Sequence, residues 1–217
     1  MTSKRVDLIS GELYSQLEEA KRILPEELAA AIQNAGFECI QCGECCRGED
    51  NCVAVFPFEV RAIMEKTGQN WLEVVEPPTE GEWDFEGNFH TLEWRLRKDG
   101  ERCQYYGDYG CQIYPVRPLL CKTYPFYLEE EGLVLSECRG LSNEIGPKEA
   151  FRLAALIKER RLVEIQEALD LVRRYRDFRR GAPSSEGVCV VHDSEGEHRI
   201  DWYRLPGALD RMLGHLK

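Results

Sequence analysis

Between Cys39 and Cys46 the chain reads CIQCGECC, four thiols in eight residues, and no other stretch limits the fold so strongly. The thiolate is the metal-binding form of cysteine, and two-residue gaps let successive sulfurs turn toward one point. Gln, Gly, Glu and Arg surround the run, where four thiols serving only as small buried apolar groups would sit among Leu and Val. Cys103, Cys111, Cys121 and Cys138 follow, each expected on its own turn. Cys52 and Cys189 stand alone and read as ordinary cysteines.

Nine of the ten cysteines fall between Cys39 and Cys138, a clustering that favours ligation over cross-linking. The N-terminal residues lack the apolar run of a signal peptide, and nowhere do about 18 apolar residues run together as a membrane span needs. The expectation is a cytosolic protein, where thiols stay reduced. A formal charge of −11 argues against broad nucleic-acid binding, which needs clustered Lys and Arg. With 43% apolar residues, 217 residues can bury a core without covalent help.

Leu13, Leu17, Ala20 and Leu24 predict a helix over 11–24 with Ser10 as its cap, and Pro25 opens a second helix ending before Gly36. VAVF (53–56) predicts a strand, Pro57 to Gly68 a helix, and Asn70 the cap of a short turn. Residues 76–88 show neither period and read as a loop. From His90, the alternation Leu92, Trp94, Leu96 predicts a half-buried strand, with Asp99-Gly100 as a hairpin turn. The prolines of IYPVRPLLCKTYPF predict an irregular path through Cys121, and 133–135 a short strand. Pro147 starts a long amphipathic stretch to about Phe178, one helix or two joined near Arg160. After the break at 181–185 come a hairpin, with Ser194-Glu195-Gly196 at its turn, and a final helix after Pro206.

The expected fold is α+β in one domain, 1–217. An irregular cysteine-rich metal-binding module with short strands (37–141) follows N-terminal helices (1–36) and precedes a long helix (147–181) and a hairpin with terminal helix (187–217).

Eight thiols are too many for one tetrahedral zinc. The side chains of adjacent Cys45 and Cys46 point differently in any regular backbone, so the pair suits two ligand sets or a polynuclear cluster. Cys39, Cys42 and Cys45 reproduce the three-ligand run of cubane sites, which makes a [4Fe-4S] cluster the first expectation; two all-thiolate zinc sites are the second.

The CxxCxxCC run, then Cys103, CQIYPVRPLLCKTYPF from Cys111 to Phe126, and Cys138-Arg139-Gly140 together resemble the YkgJ-type cysteine-cluster proteins, a family of proposed zinc- or iron-chelating domains. The likeness covers roughly 37–141. It implies Cys39, Cys42, Cys45, Cys46, Cys103, Cys111, Cys121 and Cys138 as the chelating set. Arg139 stands where the resemblance leads one to expect proline in many relatives. Flagellin lysine N-methylases carry a related motif, but no Gly-rich strand-to-helix loop for a nucleotide or S-adenosylmethionine is visible here.

Arg117, set between Val116 and Pro118 near two ligand cysteines, is the candidate cofactor contact, able to donate to thiolates or a carboxylate; tying loop carbonyls is its ordinary alternative. Tyr105, Tyr106, Tyr109, Tyr114 and Tyr124 predict an aromatic shell. His90, His192, His198 and His215 form no ligand pair at helical spacing, and the CxxH of Cys189 and His192 lies in a strand that splits them between faces. The basic segment RRYRDFRR (173–180) could dock an acidic protein partner, although cations at a helix C-terminus need none. Three readings follow: a metal-binding protein with a redox or metal-handling role, an enzyme using the centre as cofactor (oxidoreductase or lysine methylase-like), and a structural zinc module for protein interaction.

Overall fold

The computed structural model describes residues 3–48, 51–129, 132–174 and 178–214, and the chain has the mixed helix-and-strand class expected of it. Helices α1 (Ser3–Arg22) and α2 (Pro25–Ala35) come first, and α1 runs through Ser10, which therefore lies inside the helix and caps nothing. Next come β1 (Ala54–Val55), α3 (Pro57–Thr67), α4 (Trp71–Val74), β2 (Val75–Glu76), β3 (Glu82–Trp83), β4 (Phe89–Leu92) and β5 (Trp94–Leu96). The short strands β6 (Lys98–Asp99), β7 (Arg102–Cys103), β8 (Tyr106–Gly107) and β9 (Gly110–Cys111) lead to α5 (Leu119–Thr123). The remainder is β10 (Phe126–Glu129), β11 (Gly132–Leu135), α6 (Pro147–Arg174), β12 (Cys189–His192), β13 (Glu197–Ile200) and α7 (Ala208–Gly214).

Local signals set several of these boundaries. Pro57 supplies the first-turn φ of α3, and Gly68, at φ 75°, ends it with its N–H on Met64 O. Asn70 Oδ1 accepts from Glu73 N at 3.2 Å while Glu73 Oε2 accepts from Asn70 N at 2.7 Å, so two N–H groups at the start of α4 are satisfied reciprocally. Helix α6 is continuous through Arg160; 175–177 lie outside the described residues, and Phe178 is not helical.

Two apolar cores and a smaller satellite cluster result. Ala150, Leu153, Ala154 and Ile157 recur at helical spacing on α6 and meet Leu28, Ala29 and Ile32 of α2 with Phe126 and Leu128 of β10. One turn after another further on, Ile165 and Leu169 take Leu17 and Ala20 of α1. The second core gathers Val60 and Ile63 of α3, Trp94 and Leu96 of β5, and Val191 of β12, with Met212 of α7 closing it. Each buried Val, Leu, Ile, Phe or Met among them contributes roughly 1.5–3 kcal/mol.

The continuous strand expected from His90 divides instead between two sheets. Glu93, at φ 62°, turns the chain so that β4 joins the order β13-β12-β4-β3 and β5 the order β1-β5-β2. The turn leaves Leu92 43% exposed where alternation placed it inside. Part of the expected loop at 76–88 is strand β3, paired with β4 through Trp83↔Phe89. The C-terminal hairpin adds to the same sheet, β12 lying parallel to β4 with Cys189↔Phe89.

Candidate metal centre

Glycine and backbone pairing shape the cysteine run before any thiol is considered. Gly43 sits at φ 74° against the Tyr106 ring, and a Cβ there would lie 2.0 Å from Tyr106 Cζ. Only glycine fits this contact. The Tyr106 hydroxyl donates to Cys42 O (3.0 Å) and accepts from Arg47 Nη2 (2.9 Å), which also donates to Cys42 O (3.0 Å). The loop is thus tied to β8 through Arg47, a clasp that the sequence reading missed and whose only sequence signal is an arginine directly after the cysteine pair.

The other thiols arrive on separate elements: Cys103 on β7, Cys111 on β9, Cys121 on α5, and Cys138 in the turn after β11. The stretch carrying Cys121 is more regular than its prolines suggested. Residues Tyr114–Val116 form a 3-10 turn, and the buried Glu59 Oε1 accepts from Leu119 N at 2.5 Å to start α5. Burial holds the Glu59 carboxyl above the usual range. Buried Arg160 of α6 donates to the Thr123 hydroxyl at the other end of α5, so both ends of that helix are held.

All eight expected thiols, Cys39, Cys42, Cys45, Cys46, Cys103, Cys111, Cys121 and Cys138, line one cavity. It lies on the seam between the two cores, with Phe37 on one side and Leu96 and Ile113 on the other. Its volume of about 80 Å³ is several times the roughly 10–15 Å³ that one water requires. Arg117, Tyr106, Tyr114 and Tyr124 complete the lining. Tyr105 and Tyr109 do not belong to it: Tyr105 is buried in the core with its hydroxyl on Gln69, and Tyr109 is 102% exposed. Cys189 is buried in β12, where burial lifts its thiol to about 12, and neither it nor Cys52 borders the cavity.

The electrostatics suit acquisition of a cation in exchange for protons. Cys45 and Cys46 sulfurs lie 4.0 Å apart, and the hydrogen bond they share brings Cys45 down to about 7 and pushes Cys46 up. Burial pushes Cys103, Cys111, Cys121 and Cys138 up as well. A cation would replace those protons, because ligation requires the thiolate. Arg117 stacks its guanidinium 3.7 Å over the Tyr114 ring, and its buried Nε has no hydrogen-bond partner among the described residues. An orphaned cationic donor beside thiols fits an anionic thiolate centre. As the side chains stand, no three His, Cys, Asp or Glu groups among the described residues are grouped to hold one metal ion. Rotation between staggered wells swings a cysteine sulfur by roughly 3 Å, the adjustment that binding would demand.

A second polar constellation lies away from the cavity. His90 Nδ1 meets His192 Nε2 at 2.8 Å, and His90 Nε2 meets Asp84 Oδ2 at 2.9 Å, across the parallel β12–β4 pair. His192 therefore faces His90 and does not combine with Cys189. Burial and the neighbouring His90 bring His192 down to about 4. Along the basic segment, Arg173 is paired with Asp170, Arg174 donates to Ser194 O at 2.6 Å, and Arg180 is paired with Glu82. These arginines have internal partners, and the described part of the segment beyond Arg174 is not helical.

No helix among the described residues is long and apolar enough to cross a membrane. Residues 38–139 match the family model CxxCxxCC, described as "Putative zinc- or iron-chelating domain". No curated protein and no solved structure matches the chain.

Proposed function

We propose that this chain, whose residues 38–139 match the family model described as "Putative zinc- or iron-chelating domain", holds zinc or iron through the thiolates of the seam cavity. The observation that carries this reading is the convergence of eight thiols, delivered by five separate segments, on one cavity whose lining also includes an arginine with a buried Nε. A packing role for the cysteines would distribute them through the cores, as Cys189 is. Arg117, and Arg47 at the loop, would offset the negative charge of a thiolate-bound metal, with the Arg117 Nε donating to a sulfur.

An iron–sulfur cluster is the finer reading we favour. Cys39, Cys42 and Cys45 sit three apart on an irregular loop, and the cavity has room for more than a single ion. Zinc in all-thiolate sites is the alternative. The biological role that follows is electron transfer or metal handling in a reducing compartment. Anaerobic purification followed by quantification of iron, zinc and acid-labile sulfide, with a visible spectrum, tests it. Iron with matching sulfide and a broad visible absorption supports the cluster. Stoichiometric zinc in a colourless protein selects the alternative, and a folded, reduced chain containing neither metal rejects both.

A further inference from the structure

We propose that the CxxCxxCC run is the exchange face of the metal centre, where metal passes between the exposed thiols Cys39 and Cys45 and the paired cysteines of a basic acceptor protein. The proposal rests on the metal-holding reading above and names its partner.

The cavity has a wet wall and a dry one. Its exposed lining residues are Cys39, Ile40, Gln41, Glu44, Cys45 and Glu137, five from the run and the sixth directly before Cys138. Its buried lining is Leu96, Ile113 and Pro118, together with Gly43 under the Tyr106 ring. The other six thiols are half-buried, so only Cys39 and Cys45 among the eight are exposed to solvent. A structural metal site is closed, and a centre that only carries electrons gains nothing from ligands offered to water. Here the ligands themselves form the outer wall.

That wall is framed by main chain and tied across by side chains. Phe37 pairs with Leu141 before the run, and Arg47 with Arg102 after it. Between them the Arg139 Nε–Glu44 Oε1 pair, at 2.7 Å, crosses from the Cys138 turn to the run. Its side chains are 69% and 47% exposed, and an ion pair in water holds weakly and reopens readily. The frame stays in place while the tie across the mouth can yield.

Exposed ligands allow exchange by addition. An incoming thiol becomes the fifth ligand of zinc before a cysteine of the chain leaves. One Zn–S bond to the acceptor forms and one to the chain breaks; the proton of the incoming thiol passes to the departing cysteine, and zinc stays divalent. A metal held by soft thiolates is taken over by an acceptor that is itself thiolate-rich.

The surroundings of the two thiols describe that acceptor further. Ile40 is 53% exposed, and wholly exposed Tyr109 is brought beside the run because Gly110 packs on Gln41, where a Cβ would lie 2.8 Å from Oε1. Two apolar side chains within a polar rim suit a small, transient interface. Exposed Glu38, Glu44, Asp108 and Glu137 outnumber Arg47 and Arg139 around them, on a chain of net charge −11. The acceptor is therefore basic around its cysteines.

The test uses the reduced full-length chain loaded with Zn²⁺ and desalted under nitrogen. Two Cys-x-x-Cys peptides, one flanked by lysines and one by glutamates, serve as acceptors, and the zinc left on the protein is quantified over time. The lysine peptide is expected to remove zinc at a rate proportional to its concentration, and about tenfold or more faster than the glutamate peptide at low salt. In a second arm, brief alkylation of the loaded chain should modify Cys39 and Cys45 before the other six, as located by mass spectrometry. Zinc loss at a rate independent of peptide concentration, or first labelling at Cys103, Cys111 or Cys121, would overturn the exchange face. Equal rates with the two peptides would overturn the basic acceptor. A chain that retains no Zn²⁺ after desalting fails the metal-holding reading itself, an outcome distinct from the others.

Discussion

Gly43 is the residue on which the loop geometry depends most directly. Gly43→Ala would put a methyl group into the Tyr106 ring at a positive φ, and the ring is itself fixed by Arg47 and Cys42 O. The expected cost is about 2–3 kcal/mol, a fall of roughly 4–12 °C in thermal midpoint, with reduced metal retention. An unchanged midpoint would show that the clasp is not rigid. Glu59 acts at the far side of the cavity: Glu59→Ala leaves the N–H groups of Phe56 and Leu119 without their acceptor. Stability should fall by about 2–4 kcal/mol in chemical denaturation, and Cys121 should become more readily alkylated. A loss below about 0.5 kcal/mol would mean that α5 is held by Arg160 alone.

At the scale of elements, the sheet β13-β12-β4-β3 joins the C-terminal hairpin to the segment that precedes the cysteine-bearing strands, and the His90–His192 contact sits at that join. His192 has its folded value depressed to about 4 from 6.5, so the unfolded chain binds the proton more readily. Its contribution is therefore complete above pH 6.5 and is lost as the pH falls toward 4. Asp84, held below the usual carboxylate range chiefly by hydrogen bonds from Asn88 and His90 against the opposing effect of burial, adds loss in the same direction at lower pH. In denaturant titrations across this range, His192→Asn should lose less stability on acidification than the parent chain. Equal acid sensitivity in the two proteins would assign the effect to other groups.

These elements also show what a sequence can disclose. Asn70, Gly68 and Asp99-Gly100 announced their cap, stop and turn because each acts within a few residues, and the final helix was legible from the spacing of Leu209, Met212 and Leu213. The break at Glu93 was hidden, since alternation continues across it while the backbone changes sheet. Strand β3 was hidden because two residues carry no period. The His90–His192 pair, 102 residues apart in sequence, depends on a parallel register that no local pattern encodes. For the cavity, the thiols themselves were readable as residue type and spacing; which tyrosines face them, and the clasp by Arg47, depend on turns whose direction is set only by packing.

For the molecule as a whole, the cavity lies where two cores meet, so its thiols are supported from both sides, and burial pushes Cys103, Cys111, Cys121 and Cys138 up. Metal must displace their protons, and apparent affinity should rise with pH. Competition titrations at about pH 6 and about pH 8 should differ by more than about a hundredfold, because more than one proton is released per ion over two pH units. A pH-independent affinity would place the ligands outside the thiol set. The most direct test of the central claim is X-ray absorption at the metal edge of the protein as purified under nitrogen. An all-sulfur first shell of about four atoms, at about 2.3 Å for zinc, is the predicted result. A first shell dominated by nitrogen or oxygen would contradict ligation by the eight cysteines.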